Sequence, residues 1–275
     1  MNGQETRLNT TRLPAVAGTF YPAQRAVLDG NVRSLLANAA PEANMGHPKA
    51  LIVPHAGYIY SGAMAAAAYA WLSQSAESIA RVVLLGPAHR VAFNGLALPE
   101  ADAFATPLGN IELDHEAIKA IAHLPQVCIN AAAHTAEHSL EVQLPFLQSV
   151  LKSFRLVPLV VGQASAAEVA EVLDALWGGP ETLIVISSDL SHFLAYKNAC
   201  AVDRDTVDSI LSLEPLRTHH QACGATPING MLLAAKRHHL RPKLIGLCNS
   251  GDTAGDKSRV VGYASLAFVE NERHE

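Results

Sequence analysis

Apolar residues gather in this chain into short unbroken blocks: KALIV at 49–53, RVVLLG at 81–86, RLVPLVV at 155–161, TLIVIS at 182–187, KLIGLC at 243–248 and RVVGYASLAFV at 259–269. Blocks without polar alternation fit strands covered on both faces. Between them the spacing turns helical. Val32, Leu35, Leu36 and Ala39 predict a helix over Asp29–Ala40, and an Ala-rich stretch predicts another over Ser61–Leu72 with Ser61 as its cap. Further helices are expected at Asp114–His123, Glu137–Leu151, Ser165–Leu176 (capped by Ser165), Cys200–Leu211 and Asn229–His239. The stretch NGLALPEADAFATPLGNIELD reads as a β-ribbon excursion, PEANMGHPK as a loop, and residues 1–12 as a loose N-terminal segment. Strand and helix alternate with no linker or repeat, so the expectation is a single domain over 1–275. Its class is α/β: an α/β/α sandwich around a largely parallel or mixed sheet.

Composition narrows the function. Of 275 residues 49% are hydrophobic and 16% charged, enough apolar material for a large core. A net charge of -5 without any Lys/Arg run disfavours nucleic acid. No apolar run reaches the roughly 20 residues that cross a bilayer, and the opening residues lack a signal-peptide pattern, so the cytoplasm is expected and a membrane partner is not. Cys128, Cys200, Cys223 and Cys248 show no CxxC spacing.

Polar residues able to do chemistry follow directly after four apolar blocks, in LIVPHAGY, VVLLGPAHR, LIVISSDLSHF and LIGLCNSGD. Ligands of α/β sheets bind outside the carboxyl ends of strands, where such residues converge. His55, His89, Asp189, His192 and Asp252 qualify. Two imidazoles and a carboxylate form the facial triad of non-haem iron, and the same set binds zinc with water in the open position. Each histidine alone reads equally as a hydrogen-bonded structural residue.

His134 and His138 stand at i and i+4, but HTAEH is not a zinc-protease HExxH, and His134 reads as a solvated or capping residue. Glu137, His138 and Glu141 are expected to line or brace the pocket, since a carboxylate behind an imidazole fixes its orientation. Cys223 reads as a buried structural thiol that lines the pocket. The pairs His219–His220 and His238–His239 read as surface positions. Serines around Asp189 lack a GxSxG elbow, which ranks a serine hydrolase low.

The ordered set AVAGTFYP, VPHAGYIYSG, LLGPAHR, PLGNIELD, EHSLEVQLPFL, PLVVG, ISSDLSHF, CGATPINGML and NSGDTAGDKSRVVGYAS resembles the Memo family, whose bacterial and archaeal members are called AmmeMemoRadiSam system protein B. The likeness runs from about Leu13 to Phe268. It implies a fold like that of class III extradiol dioxygenases, with His55 and His89 as metal-site positions and Asp189 and His192 lining the same pocket. Animal members carry a cysteine at the third site position, where NSGD here offers Asp252; Cys248 is expected to stay in its strand. Imidazole plus carboxylate suits iron(II) or manganese better than copper, so iron(II) is expected, with zinc, manganese or copper as alternatives.

The resulting expectation is an oxidoreductase of dioxygenase type. His55, His89 and Asp252 would hold iron(II), a small chelating substrate would bind beside it, His192 would act as acid or base, and Asp189 would orient an imidazole or the substrate. The alternative is a non-catalytic protein whose pocket recognises a peptide or partner. The family name also implies association with a radical-enzyme pathway.

Overall fold

The computed structural model describes residues 10–39 and 46–270. The first half of the chain forms β1 (Thr11–Arg12), α1 (Arg25–Asn38), β2 (Pro48–Val53), α2 (Tyr58–Trp71), β3 (Arg81–Pro87), β4 (Leu96–Leu98), β5 (Ala103–Thr106), β6 (Gly109–Glu112), α3 (His115–Ile121), β7 (Val127–Ile129) and α4 (Ala131–Thr135). The second half forms α5 (Leu144–Val150), β8 (Arg155–Val161), α6 (Ala166–Ala175), β9 (Thr182–Ser187), β10 (His192–Leu194), α7 (Tyr196–Leu211), α8 (Ala225–Arg237), β11 (Leu240–Asn249) and β12 (Val260–Glu270).

Among the described residues, nine strands make one mixed sheet in the order β10-β12-β2-β9-β3-β8-β4-β7, with β11 also on β12. Its centre, β2-β9-β3-β8, is parallel, while β12 runs antiparallel to β2 and β4 antiparallel to β8. Alternation within the apolar blocks sorts their side chains. Leu51, Val53, Val82, Leu84, Leu183 and Val185 pack with Leu28 and Val32 of α1 and Phe146 and Leu147 of α5. Their neighbours Ala50, Ile52, Val83, Leu85, Ile184 and Ile186 face the other way, onto Val169 and Leu173 of α6 and Ile228 and Met231 of α8. Both faces are therefore dry, as unbroken apolar runs require. No helix among the described residues is long and apolar enough to cross a membrane.

Several expected boundaries move. Ser61 does not cap α2; Gly57 occupies that position, and the Ser61 hydroxyl donates back to Ala56 O from inside the helix. The ribbon divides: β5 and β6 pair as a hairpin, while β4 joins the main sheet. The helix expected from Glu137 is absent before Glu141. A single 3-10 turn at Glu141–Gln143 leads into α5, which carries Pro145 in its first turn. Residues 136–140 run as turn and coil instead, with the N–H groups of His138 and Ser139 satisfied by a carboxylate described below.

The N-terminal segment is also more ordered than expected. Residues 1–9 lie outside the described residues, as does most of the PEANMGHPK loop, but Thr11 and Arg12 pair in parallel with Ala103 and Phe104 of β5. Buried Arg12 forms an ion pair with the fully buried Glu141 and donates to Glu137 O (2.6 Å) and His134 O (3.1 Å). Glu141 also accepts from Ala15 N (2.7 Å), Val16 N (3.0 Å) and the Tyr21 hydroxyl (2.5 Å). Two charges thus bind the chain's start to the 134–141 segment.

Removing one partner of a buried pair leaves the other charge uncompensated. Arg12→Ala is expected to lower unfolding free energy by about 3–5 kcal/mol, read as a shift of the urea midpoint at constant slope.

Candidate functional site

The parallel centre of the sheet ends all its strands on one edge, and the predicted residues follow there. β2 delivers His55, β3 delivers His89, and β9 delivers Ser187 through Asp189. The His55 and His89 rings lie 5.2 Å apart between centroids, and His138 lies 5.4 Å from the first and 4.7 Å from the second. One nitrogen from each of these three histidines falls within 4.8 Å of the others. Such a group could hold a metal ion.

Hydrogen bonds set the tautomers. The Ser187 hydroxyl gives its single proton to Ser139 O (2.6 Å), so at 2.9 Å the His55 Nδ1–H must donate to Ser187 Oγ. The lone pair of His55 thereby lies on Nε2, which the Cys223 thiol faces at 3.4 Å. His89 Nδ1 faces Glu137 Oε1 at 2.9 Å; a carboxylate only accepts, so this nitrogen donates and Nε2 again keeps its lone pair. Glu137 further accepts from the backbone N–H groups of His89 (2.6 Å), His138 (2.9 Å) and Ser139 (2.9 Å). His138 Nδ1 is only 3.3 Å from Glu137 Oε1 yet is not aligned to bond it, a buried nitrogen with no hydrogen-bond partner among the described residues.

Electrostatics keep His55 and His138 neutral. Burial, followed by the charges His89 and His138 would carry, pushes His55 well below the usual imidazole range. Burial likewise lowers His138, to about 4, against the pull of Glu137. In Glu137 burial favours the neutral acid, but the hydrogen bonds and charge of His89 with the backbone donors outweigh it and hold the carboxyl at about 2. Neutral imidazoles backed by an ionised carboxylate are what a cation needs from its ligands.

Asp189 is buried, and its Oδ1 accepts the His55 backbone N–H at 2.7 Å; burial raises its carboxyl to about 7. Its contacts make it a brace for the His55 backbone. His192 begins β10 and donates from Nδ1 to Leu190 O at 2.9 Å, which leaves Nε2 as a base. Burial lowers its pKa. The preceding loop is pinned: Ser191 N donates to Asp203 Oδ1 (3.0 Å), and Leu190 and Ser191 exchange bonds with Gly262. A Cβ on Gly262 would sit 2.0 Å from Asp203 Oδ2, so only glycine fits. Phe193 follows at φ +60°, in the left-handed region, with its ring 60% exposed and Arg259 above it at 5.1 Å.

Asp252, expected as the third ligand, does not join the group. It is exposed, and it accepts from the Tyr196 hydroxyl (2.5 Å) and Asn249 N (3.0 Å) in closing the 3-10 turn Ser250–Asp252. The third member is instead His138, expected only to line the pocket. Its coil segment carries it to the strand ends, whereas the helix read from EHSLEVQLPFL would have directed it elsewhere. Cys223 is more intimate with the site than expected: its Sγ lies 3.4 Å from His55 Nε2, and burial raises the thiol to about 12. His134, read as solvated, is buried, with Nε2 on Ala97 O at 2.8 Å. Cys248 stays in β11. His219 and His220 are exposed as expected, but His238 stacks on Trp177 at 3.7 Å.

The chain has relatives among known proteins. The family model described as Memo-like protein matches residues 12–267. A MEMO1 family protein of Aquifex aeolicus is 36% identical over 94% of this chain and 99% of its own length. One from Archaeoglobus fulgidus is 36% identical over the same shares, and one from Methanosarcina mazei is 34% identical over 93% and 98%. A solved structure of an uncharacterized Escherichia coli protein aligns over 79% of this chain and 98% of its own with a TM-score of 0.49 and 14% identity.

Two measurements check the electrostatics. Because His138 titrates near 4 when folded and near 6.5 when unfolded, the unfolded metal-free chain takes up its proton first as pH falls. This residue therefore adds nothing to the pH dependence above about pH 6.5 and costs stability between there and about 4. Moving from pH 7 to pH 5 is expected to cost wild type about 1–2 kcal/mol more than His138→Gln in denaturant titrations. Glu137→Gln is expected to weaken cobalt(II) or zinc binding about 10–100-fold, read by competition with a chromophoric chelator.

Proposed function

The chain belongs to the Memo family, and on that premise we propose that it is a metal-dependent oxidoreductase. In this reading His55, His89 and His138 hold a divalent transition metal, iron(II) in the working protein. The supporting observation is the group of three imidazoles with one nitrogen of each within 4.8 Å, two of them with Nδ1 engaged by Ser187 or Glu137 and Nε2 turned to the group. The orphaned Nδ1 of His138 fits the same reading, since a buried nitrogen without a partner is otherwise a cost. Imidazole ligands suit iron, zinc and copper alike, so the loss of Asp252 from the site removes the preference that a carboxylate would give to manganese.

When bound, the metal supplies Lewis acidity and open positions for a small chelating substrate and, as iron, one-electron chemistry. The protein supplies the rest. Glu137 and Ser187 fix the rings of His89 and His55, and Asp189 fixes the His55 backbone. His192 Nε2, held by the Leu190 bond at Nδ1, accepts a proton from a substrate hydroxyl within its reach and returns it later. Its lowered pKa keeps it in the basic form at neutral pH.

Protein purified anaerobically without chelator is expected to carry about one iron per chain. The variants His55→Ala, His89→Ala and His138→Ala should lose it, and Asp252→Ala should keep it. A wild type that folds but binds no metal would leave the pocket a recognition site for a peptide or partner. In an oxygen-electrode screen of catechol-like diols, His192→Ala should slow turnover about 10²–10⁴-fold at unchanged iron content. Equal oxygen uptake by wild type and His55→Ala would mean free-iron chemistry and sink the oxidoreductase reading.

A further inference from the structure

A cleft of about 830 Å³ opens beside the histidine group, with His89 and Cys223 in its wall. Its volume suits a small organic ligand. Cys223 touches His55 and His89 belongs to the group, so one end of the cleft abuts the histidine group. The rest of the lining is backbone and apolar or neutral side chains such as Phe93, Gln163 and Thr226, with one formal charge, Arg90.

Arg90 follows His89 directly and is exposed. No carboxylate stands among the residues lining the cleft, and Arg90 has no ion-pair partner among the described residues. Arg90 is thus the one formal charge in the wall of the cleft, directly beside His89. A bound cation would make the cleft more positive still.

We infer that the substrate of this site carries a carboxylate, which pairs with the Arg90 guanidinium while the chelating end of the molecule reaches the histidine group. The inference rests on the metal-site reading for the second contact but not for the first. A guanidinium offers a carboxylate two parallel N–H donors, a fork that a lysine ammonium does not reproduce. Arg90 is here a specificity residue; it orients the ligand and takes no part in proton transfer.

The test titrates cobalt(II)-loaded protein with 3,4-dihydroxybenzoate and with catechol, two chelators that differ by one carboxylate, and reads both Kd values by calorimetry. Wild type is expected to bind the acid about tenfold tighter than catechol. Arg90→Gln should bind the two equally, with its catechol Kd and metal content unchanged, and Arg90→Lys should recover part of the preference. Equal affinities in wild type, or a preference that survives in Arg90→Gln, would overturn the inference. Metal content is measured first. If wild type takes up no cobalt, the metal reading fails by itself, and the pair is titrated on the metal-free protein. An Arg90-dependent preference there still supports the carboxylate contact, whereas absence of binding by either probe refutes it.

Discussion

The site is organised around a buried carboxylate that accepts four hydrogen bonds. Glu137 accepts from the ring and backbone of His89 and from the backbone of His138 and Ser139. Those bonds hold the 137–139 backbone out of the helix its sequence favours and turn it across the ends of β3 and β9. Ser139 then ties the segment to both strands, donating from its hydroxyl to Pro87 O and accepting from Ser187 at its carbonyl. Gln143 extends the seam, donating to Pro54 O and to Ser187 Oγ. A protonated or missing Glu137 would leave several donors without partners in a dry place, where each costs about 1–3 kcal/mol.

The strands were legible because their apolar blocks are unbroken and end in turns. That alone placed His55, His89 and Asp189 on one edge, since parallel strands must finish on the same side. What the pattern could not show is where a local preference yields to a distant partner. EHSLEVQL has helical spacing, yet Arg12 and Glu137 take up its backbone groups, and His138 moves from the expected lining into the ligand group. Asp252 misled for a related reason. NSGD follows a strand as the other motifs do, but β11 lies outside the parallel centre, and the carboxylate closes its own turn.

The family likeness and the structure inform each other at different points. The ordered motifs covered nearly the whole chain, and the matched residues 12–267 agree with that span. Yet carrying a third ligand over by motif chose an acid in a capping turn, while the geometry offers an imidazole and sets a thiol against His55. The same rings that must stay neutral to bind a cation are kept neutral by burial whether or not one is present.

The clamp between Arg12 and Glu141 has a consequence for how the chain acquires this shape. The two residues stand 129 positions apart, and the sheet's long strand β12 pairs with β2 from the other end of the sequence. Contacts of such separation require large loops to close before they return any energy, and topologies rich in them fold slowly. During synthesis, Arg12 emerges long before the carboxylate it neutralises, and β2 waits for the last strand before its edge is covered. An aggregation-prone interval is built into that order, during which the edge of β2 that β12 later covers stands unpaired.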